Sequence, residues 1–438
     1  MLLYQLKTAV RSLKRNPVLS TLLVLGIALG IAVSTAFVTT YYMMSRNPIP
    51  EKSDVLYYVQ MDAWNPDRPY DDDDPSEPPD QVTYRDMEAV MTSDIPTYSS
   101  GMYKAQLTVH PEGEGERPFR AVTRMCYSDF FPMFEAPFLY GSGWGPSADE
   151  GPEPVVVLRK DTNERLFGGE NSVGRKLRIE DRDFTVVGVL DHWKPMPKFY
   201  DVTNFEFDEV EEVFMPLTFS RPMEIDSAGN DSGWKFTGGD TYEDWLQSES
   251  VWLQLWVQLD DRRQKEEFQA FLDAYALDQR SLGRFQRPLN NRLRPVMEWM
   301  DAQEVVPEEA VSFVIIGVLF LVVCSVNLIG LLLGKFLARG PEVGVRRALG
   351  ASRGWVFTQH LVECEVIGVL GGILGLGLSM LTLRFINGLF AEADFQFSLD
   401  LNMVGAGILL SLIAGLIAGI YPAWRICRIE PAAHLKTQ

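Results

Sequence analysis

The chain has 438 residues, 46% of them hydrophobic, and a formal net charge of −19, a length that allows two or three domains. Residues 46–309 hold 27 Lys/Arg and 52 Asp/Glu, a net charge of −25, so this segment is more acidic than the whole. Such an acidic surface argues against nucleic acid and anionic lipid as its ligands.

Residues 1–16 are expected to form an amphipathic helix on the inner membrane surface. Leu3, Leu6, Val10 and Leu13 recur at helical spacing, with Lys7, Arg11 and Lys14 beside them, and the chain turns inward at Asn16-Pro17. Asn16 to Ser45 carries no charge. A bilayer core about 30 Å thick takes roughly 20 apolar residues, so 17–45 reads as a first membrane helix. A cleavable signal peptide has an apolar stretch of only about 7–15 residues, half of what is present, which favours an anchor.

Residues 46–305 are expected to form an extracytoplasmic α+β domain. Its core would come from about 50–95 and 250–300, with a β-rich lobe, about 96–249, inserted between. Strands are expected over Val55–Met61, at "PVVVLR" and over Val251–Leu259, with a hairpin over Lys176–Leu190 turning near Asp181. Helices are expected over Tyr84–Met91 and through "RRQKEEFQAFLDAYAL". Ser227–Ser250 is rich in Gly, Ser and Asp and reads as a long exposed loop, whose Trp234 and Trp245 either meet a partner or tuck back. Asp71–Asp74 and the following "PSEPPD" read as a solvated loop, lacking the Gly and terminal Glu of a calcium loop. Cys126 is the one cysteine of this segment, so no internal disulfide is expected and the domain rests on its own core.

Three further uncharged runs follow, over 310–334, 366–383 and 401–424. They place membrane helices at 306–334, 356–384 and 401–424, joined by a cytoplasmic segment 335–355 and a short outer loop 385–400, with a tail over 425–438. The flanks set the orientation. Residues 1–16 carry four Lys/Arg and no acid, and the 335–365 link carries five Lys/Arg. The tail has Arg425, Arg428 and Lys436 against Glu430, whereas the 384–400 loop has one Arg and three acids. Both termini and the 335–355 segment are therefore expected in the cytoplasm, and 46–305 outside. Small residues recur at close spacing, as in Gly26/Gly30/Ser34, Gly368/Gly372, Gly371/Gly375 and Ser411/Gly415/Gly419, a pattern that lets helix backbones approach. Asn327 and Ser325 are expected to hydrogen-bond between helices.

Three motifs invite a catalytic or ligand-binding reading. Gly350-Ala351-Ser352-Arg353-Gly354 matches a hydrolase nucleophile elbow, which needs a buried strand before the Ser. Here a basic helix precedes it, so Gly350 reads as a helix C-cap and Ser352 as the next N-cap. "GLLLGKF" (330–336) is one residue short of a phosphate loop, lacks the following Ser/Thr and ends a membrane helix. His360 and Glu363 stand three apart on a helix, but a pair at the membrane edge is more often interfacial than a metal site.

Between the second and third membrane runs lies "PEVGVRRALGASRG". Pro341 suits the first turn of a helix and Gly350 its end. The nine residues Pro341–Leu349 would form a rigid basic knob, with Val343, Ala348 and Leu349 as an apolar contact and Glu342, Arg346 and Arg347 as polar ones. Physics alone leaves this knob open between a docking element and a loop that anchors to lipid headgroups.

"EVGVRRALGAS" resembles the cytoplasmic coupling segment of the MacB/FtsX/LolC-like permeases of ABC transporters, the type VII or mechanotransmission class. "LGIALGIA" in the first membrane run, "CSVNLIGLLL" in the second and the ending "YPAWRICRIEPAAHL" are similar to the same family. In the outer segment "SDFFPMF" and "VVVLRKDTNERLFGGENSVGRKLRIEDRDFTVVGVL" resemble its periplasmic core. The resemblance implies a four-helix permease of a bacterial inner membrane, paired with a second copy or a paralogous permease. Glu342, Val343, Val345, Arg346, Arg347, Leu349 and Gly350 would dock on a separate ABC ATPase, and Gly26, Gly30, Asn327, Gly415 and Gly419 would pack helices. ATP and magnesium would sit on that ATPase, with no cofactor, metal or catalytic residue in this chain. Closure of the ATPases would move the knob and, through the first two membrane helices, the outer domain. The work would be export or extraction of an antimicrobial, peptide, lipid or lipoprotein, with an extracytoplasmic adaptor as a further partner. A membrane sensor or scaffold that relays a signal, for example to a cell-wall hydrolase, is the alternative; a tethered hydrolase would need an outer catalytic cluster.

Overall fold

The computed structural model describes residues 2–111, 117–235, 239–389 and 401–428. The chain divides into two compact units, 1–45 with 306–438, and 46–305.

The first unit is helical: α1 Leu2–Arg15, α2 Pro17–Ser45, α3 Glu308–Leu337, α4 Gly340–Ala348, α5 Arg353–Leu389 and α6 Leu401–Cys427. Of these, α2, α3, α5 and α6 are long and apolar enough to cross a membrane. Lipid offers no hydrophobic drive between such helices, so they associate through close packing and hydrogen bonds. Helix α5 is built for this on two faces. A Cβ at Gly371 or Gly375 would meet Ile27 or the Ala28 carbonyl of α2 at 2.7 Å; one at Gly372 would meet Ser411 of α6 at 2.4 Å. Gly415 lies against Gly368, with 3.3 Å between its Cβ position and the Gly368 Cα, and a Cβ at Gly419 would meet Cys364 at 2.6 Å. Gly30 faces Leu321 and Cys324 of α3, and Ser34 Oγ donates to the Gly317 carbonyl at 2.7 Å.

Two of the expected packing residues do not serve that role within the chain. Nothing lies within 4 Å of a Cβ placed at Gly26. Asn327 is exposed on α3, and the Ser325 hydroxyl donates to the Leu321 carbonyl of its own helix at 2.8 Å. Gly26 lies one turn before Gly30 on the same stripe, but no neighbouring helix approaches it there, and Asn327 faces outward on α3.

The second unit is a mixed α/β domain. Its strands are β1 Leu56–Gln60, β2 Val82–Thr83, β3 Tyr98–His110, β4 Phe119–Cys126, β5 Phe138–Gly141, β6 Val155–Leu158, β7 Lys176–Ile179, β8 Arg182–Leu190, β9 Val213–Pro216, β10 Ser232–Gly233, β11 Ser250–Gln258 and β12 Arg292–Pro295. The sheet runs β12-β1-β11-β3-β4-β9-β6-β8-β5; β2 and β10 pair with β11, and β7 pairs with β3 and β8. Among the described residues, parallel pairing is confined to β4–β9 and β6–β8. Residues 96–249 are therefore not a separate inserted lobe. The 13-residue β3 pairs with β11 on one side and β4 on the other, carrying one sheet through.

Period-two alternation sends successive side chains to opposite faces, and both faces are covered. Tyr58 stacks on Trp299 at 3.8 Å and meets Trp256 edge-on at 5.2 Å in one core. Its neighbour Val59 joins Leu253, Leu255 and Val257 in the other. The helix Arg262–Ser281 closes that second core with Phe268, Leu272 and Ala276, spaced one turn apart, after Asp261 caps its start by accepting from Gln264 N at 2.8 Å.

The described residues of 227–250 pack back on the domain. Trp245 stacks on Trp252 at 4.2 Å, Trp234 Nε1 donates to the Ala63 carbonyl at 3.1 Å, and Thr241 with Asp244 forms a capping box. Both tryptophans tuck back. The acidic loop before β2 is held by arginines from the far end of the domain: Arg287 on Asp62 at 3.0 Å, Arg292 and Arg294 on Glu77 at 2.6 Å each.

Candidate functional site

Helix α4 and the elements braced around it form the candidate site. Pro341 sits in its first turn, where no backbone donor is lost. The end is a Schellman motif: Gly350 N donates to the Arg347 carbonyl and Ala351 N to the Arg346 carbonyl, both at 3.1 Å. That closure puts Gly350 at φ +100°, a conformation glycine adopts without penalty. Ser352 Oγ then accepts from Trp355 N at 3.2 Å and starts α5. The elbow-like motif is thus a pair of helix caps.

Helix α4 and its C-cap residue Leu349 have an inner and an outer face. Val343 and Gly344 are buried, and Val343 packs into a cluster with Leu332, Phe336, Val356 and Ile426. Val343 is therefore an anchor and not part of an exposed contact. The outward face carries Val345 and Leu349, and Leu349 is 84% exposed, the most exposed large apolar side chain among the described residues. The arginines do not simply project outward. Arg346 reaches Glu342 at 2.8 Å and Gln359 of α5 at 3.2 Å, and Arg347 donates to the Cys427 carbonyl of α6 at 3.2 Å. Arg15 of α1 lies 3.5 Å from Glu342.

Behind α4 a buried ionic hub ties the helix ends together. Glu363 of α5 pairs with Lys335 of α3 at 2.7 Å and with Arg339, between α3 and α4, at 3.5 Å, and accepts from Ser12 of α1. Arg339 also donates to Ser12 Oγ at 2.5 Å. His360 is occupied locally: Nδ1 is 2.9 Å from the Val356 carbonyl and the ring meets Phe336 edge-on at 4.5 Å. Helix α4 is thus tied to α1 by the Arg15–Glu342 ion pair and to α5 and α6 by hydrogen bonds from Arg346 and Arg347, and it follows directly on Arg339 of the hub. This hub escapes a reading by spacing, because Lys335 and Glu363 lie far apart in sequence. The available signal is a cation ending one apolar run and two acids, Glu363 and Glu365, opening the next.

The fold and the site define a multi-pass membrane protein with a large extracytoplasmic domain between its first two membrane helices. Two family profiles match: the MacB-like periplasmic core domain over residues 20–275 and the FtsX-like permease C-terminal over 314–431. The chain belongs to this family: it is an ABC transporter permease of the MacB/FtsX type. It is 22% identical over 313 residues to the pyoverdine export ATP-binding/permease protein PvdT of Pseudomonas aeruginosa, 71% of this chain and 41% of that protein. It is 29% identical over 116 residues to the uncharacterized ABC transporter permease YknZ of Bacillus subtilis, 26% of this chain and 28% of that one. With the macrolide export ATP-binding/permease protein MacB of Campylobacter jejuni it shares 30% over 123 residues, 28% of this chain and 19% of that one. The chain thus spans less than half the length of these relatives. The periplasmic region of MacB from Actinobacillus actinomycetemcomitans is similar over 57% of this chain and 92% of that structure, with a TM-score of 0.35 and 12% identity.

Proposed function

We propose that the chain couples ATP hydrolysis by a separate ABC ATPase subunit to movement of its extracytoplasmic domain, for export or extraction of a substrate outside the membrane. The observation that carries this reading is Leu349: an 84% exposed leucine at the tip of a helix that is otherwise anchored by Val343 and braced by ion pairs. A large apolar side chain held out on a rigid knob suits a protein partner. ATP and magnesium belong to that partner, and this chain contributes no catalytic residue. Two permeases, identical or paralogous, would place one knob on each of two ATPases. In this reading α4, both termini and the basic flanks lie in the cytoplasm of a bacterial plasma membrane, as the distribution of Lys and Arg supports. Helices α2 and α3, which lead into and out of the outer domain in sequence, relay the motion. Purification of the full chain from native membranes, with identification of what accompanies it, tests the reading. An ABC ATPase is expected; a signalling enzyme in its place would favour a sensor.

A further inference from the structure

The face of the membrane unit formed by α1, α2 and α5 carries a groove of about 520 Å3. Its walls are apolar along most of their length: Val24 and Leu25 of α2, Leu370 and Leu374 of α5. At the α1 end Lys14, Ser20 and Thr21 join the lining among the apolar Val10, Leu13 and Pro17. Ser20 is 6% exposed and its hydroxyl has no hydrogen-bond partner. A helical serine or threonine often turns its hydroxyl back on its own helix, as Thr8, Ser325, Thr358 and Thr382 do here, whereas Ser20, like Thr39 and Ser379 elsewhere in the membrane helices, does not; of these three Ser20 is the one that lines this groove. An unsatisfied hydroxyl walled by hydrocarbon is unfavourable unless a ligand brings an acceptor.

We propose that this groove is a binding site for one anionic phospholipid. The acyl chain lies along Leu370 and Leu374, the phosphate meets the Lys14 ammonium, and the Ser20 hydroxyl donates to a phosphate or ester oxygen. The charge of the surroundings selects the ligand. Residues 1–16 carry four basic side chains and no acid, so an anionic headgroup is attracted and a zwitterionic one gains little. The occupant sits against α1, the helix whose Ser12 and Arg15 hold Glu363 and Glu342, so the lipid braces the same assembly that positions α4. The site stands whether or not an ATPase docks there.

The test uses the full chain in nanodiscs of equal dioleoyl phosphatidylglycerol and dioleoyl phosphatidylcholine. Retained lipid is counted by native mass spectrometry, and thermal shifts are measured in detergent with added lipid. One phosphatidylglycerol per chain is expected to be retained in preference to phosphatidylcholine. Lys14→Ala should lower that retention about fivefold, the effect of one basic group near an anionic lipid, whereas Lys7→Ala, an equal loss of charge outside the groove, should change it little. Ser20→Val should leave the lipid-free melting temperature unchanged or higher and remove most of the rise caused by phosphatidylglycerol. Leu370→Trp, which fills the groove from an exposed position, should do the same if Ser20→Val inserts poorly. Equal losses from Lys7→Ala and Lys14→Ala would reveal a diffuse surface attraction and overturn the site. So would retention without preference for phosphatidylglycerol, or inorganic phosphate reproducing the thermal shift.

Discussion

Lys335 and Glu363 form an ion pair with Nζ and Oε1 2.7 Å apart, their side chains 0% and 4% exposed, between the last turn of α3 and the early part of α5. Removing one partner of a buried pair leaves an uncompensated charge and costs about 3–5 kcal/mol, whereas replacing both by apolar groups is often neutral. The two single variants differ here. Lys335→Met leaves Glu363 with Arg339 and Ser12, but Glu363→Met strands two cations. Glu363→Met is therefore expected to lower the melting temperature of the detergent-solubilised chain more than Lys335→Met. The double variant should recover a large part of the loss. A double variant that equals the sum of the two singles would show that the pair does not couple.

In the outer domain Arg124 donates to both Asp201 and Glu211, and all three side chains have no exposure. Lys198 lies 3.3 Å from each acid. Burial alone would raise the Glu211 carboxyl, but the charges of Arg124 and Lys198 overcome this and hold it well below the usual carboxylate range. A carboxylate lowered on folding contributes stability that is complete above its unfolded value, about 4.3, and is lost as pH falls below it. Denaturant unfolding of the full chain, followed by tryptophan fluorescence, should show stability falling between about pH 5 and lower values. Arg124→Met should cost about 3–5 kcal/mol at neutral pH and flatten that acid-side slope. A slope unchanged in the variant would assign the acid sensitivity to other carboxylates.

These two hubs mark where the sequence is opaque. The uncharged runs that become α2, α3, α5 and α6 are plain, because a membrane span is a long run without charge. Strands β1 and β11 and the β7–β8 hairpin follow from dense β-branched and aromatic residues between turn signals. Strand β3 does not: "YSSGMYKAQLTVH" opens on small polar residues, and its apolar positions point to two different cores. With both faces of the sheet buried, alternation gives no contrast between core and solvent. In α4, valines at 343 and 345 stand on opposite sides of a nine-residue helix, and only the structure tells the anchor from the exposed contact. His360 and Glu363 suggest each other by spacing, but Glu363 is claimed by residues from three other segments, which no local pattern reveals.

The glycines of α5 should differ from Gly26 in their tolerance of side chains. At Gly375 a Cβ would lie 2.7 Å from the Ala28 carbonyl oxygen and 2.9 Å from Ile31 Cβ, so backbone must move. Overpacking of this kind typically costs about 1–3 kcal/mol. Gly375→Val should lower the melting temperature and the yield of folded chain in detergent, while Gly26→Ala, with open space around its Cβ, should be neutral or slightly stabilising through helix propensity. If both variants behave alike, the contact of α5 with α2 is not the one described.

The decisive substitution for coupling is Leu349→Asp. Leu349 is 84% exposed, so a charge there disturbs little within the chain, and a surface change of this type usually alters stability by less than about 0.5 kcal/mol. In a docked interface the same change buries an unpaired carboxylate against a partner's apolar pocket, a loss large enough to break an anchor contact. Insertion and melting temperature should therefore stay as in the wild type, while co-purification of an ABC ATPase falls at least tenfold. Arg346→Glu combined with Arg347→Glu should also abolish association. It acts by a different route, because Arg346 braces Glu342 and Gln359 and Arg347 holds the end of α6. The charge reversals should accordingly lower the melting temperature as well, which Leu349→Asp should not. Val343→Ala supplies the opposite control: truncating the anchor inside the Leu332, Phe336 and Val356 cluster should loosen α4 and reduce stability with the outer surface chemically intact. Full retention of the ATPase by Leu349→Asp would rule out α4's outer face as the docking surface.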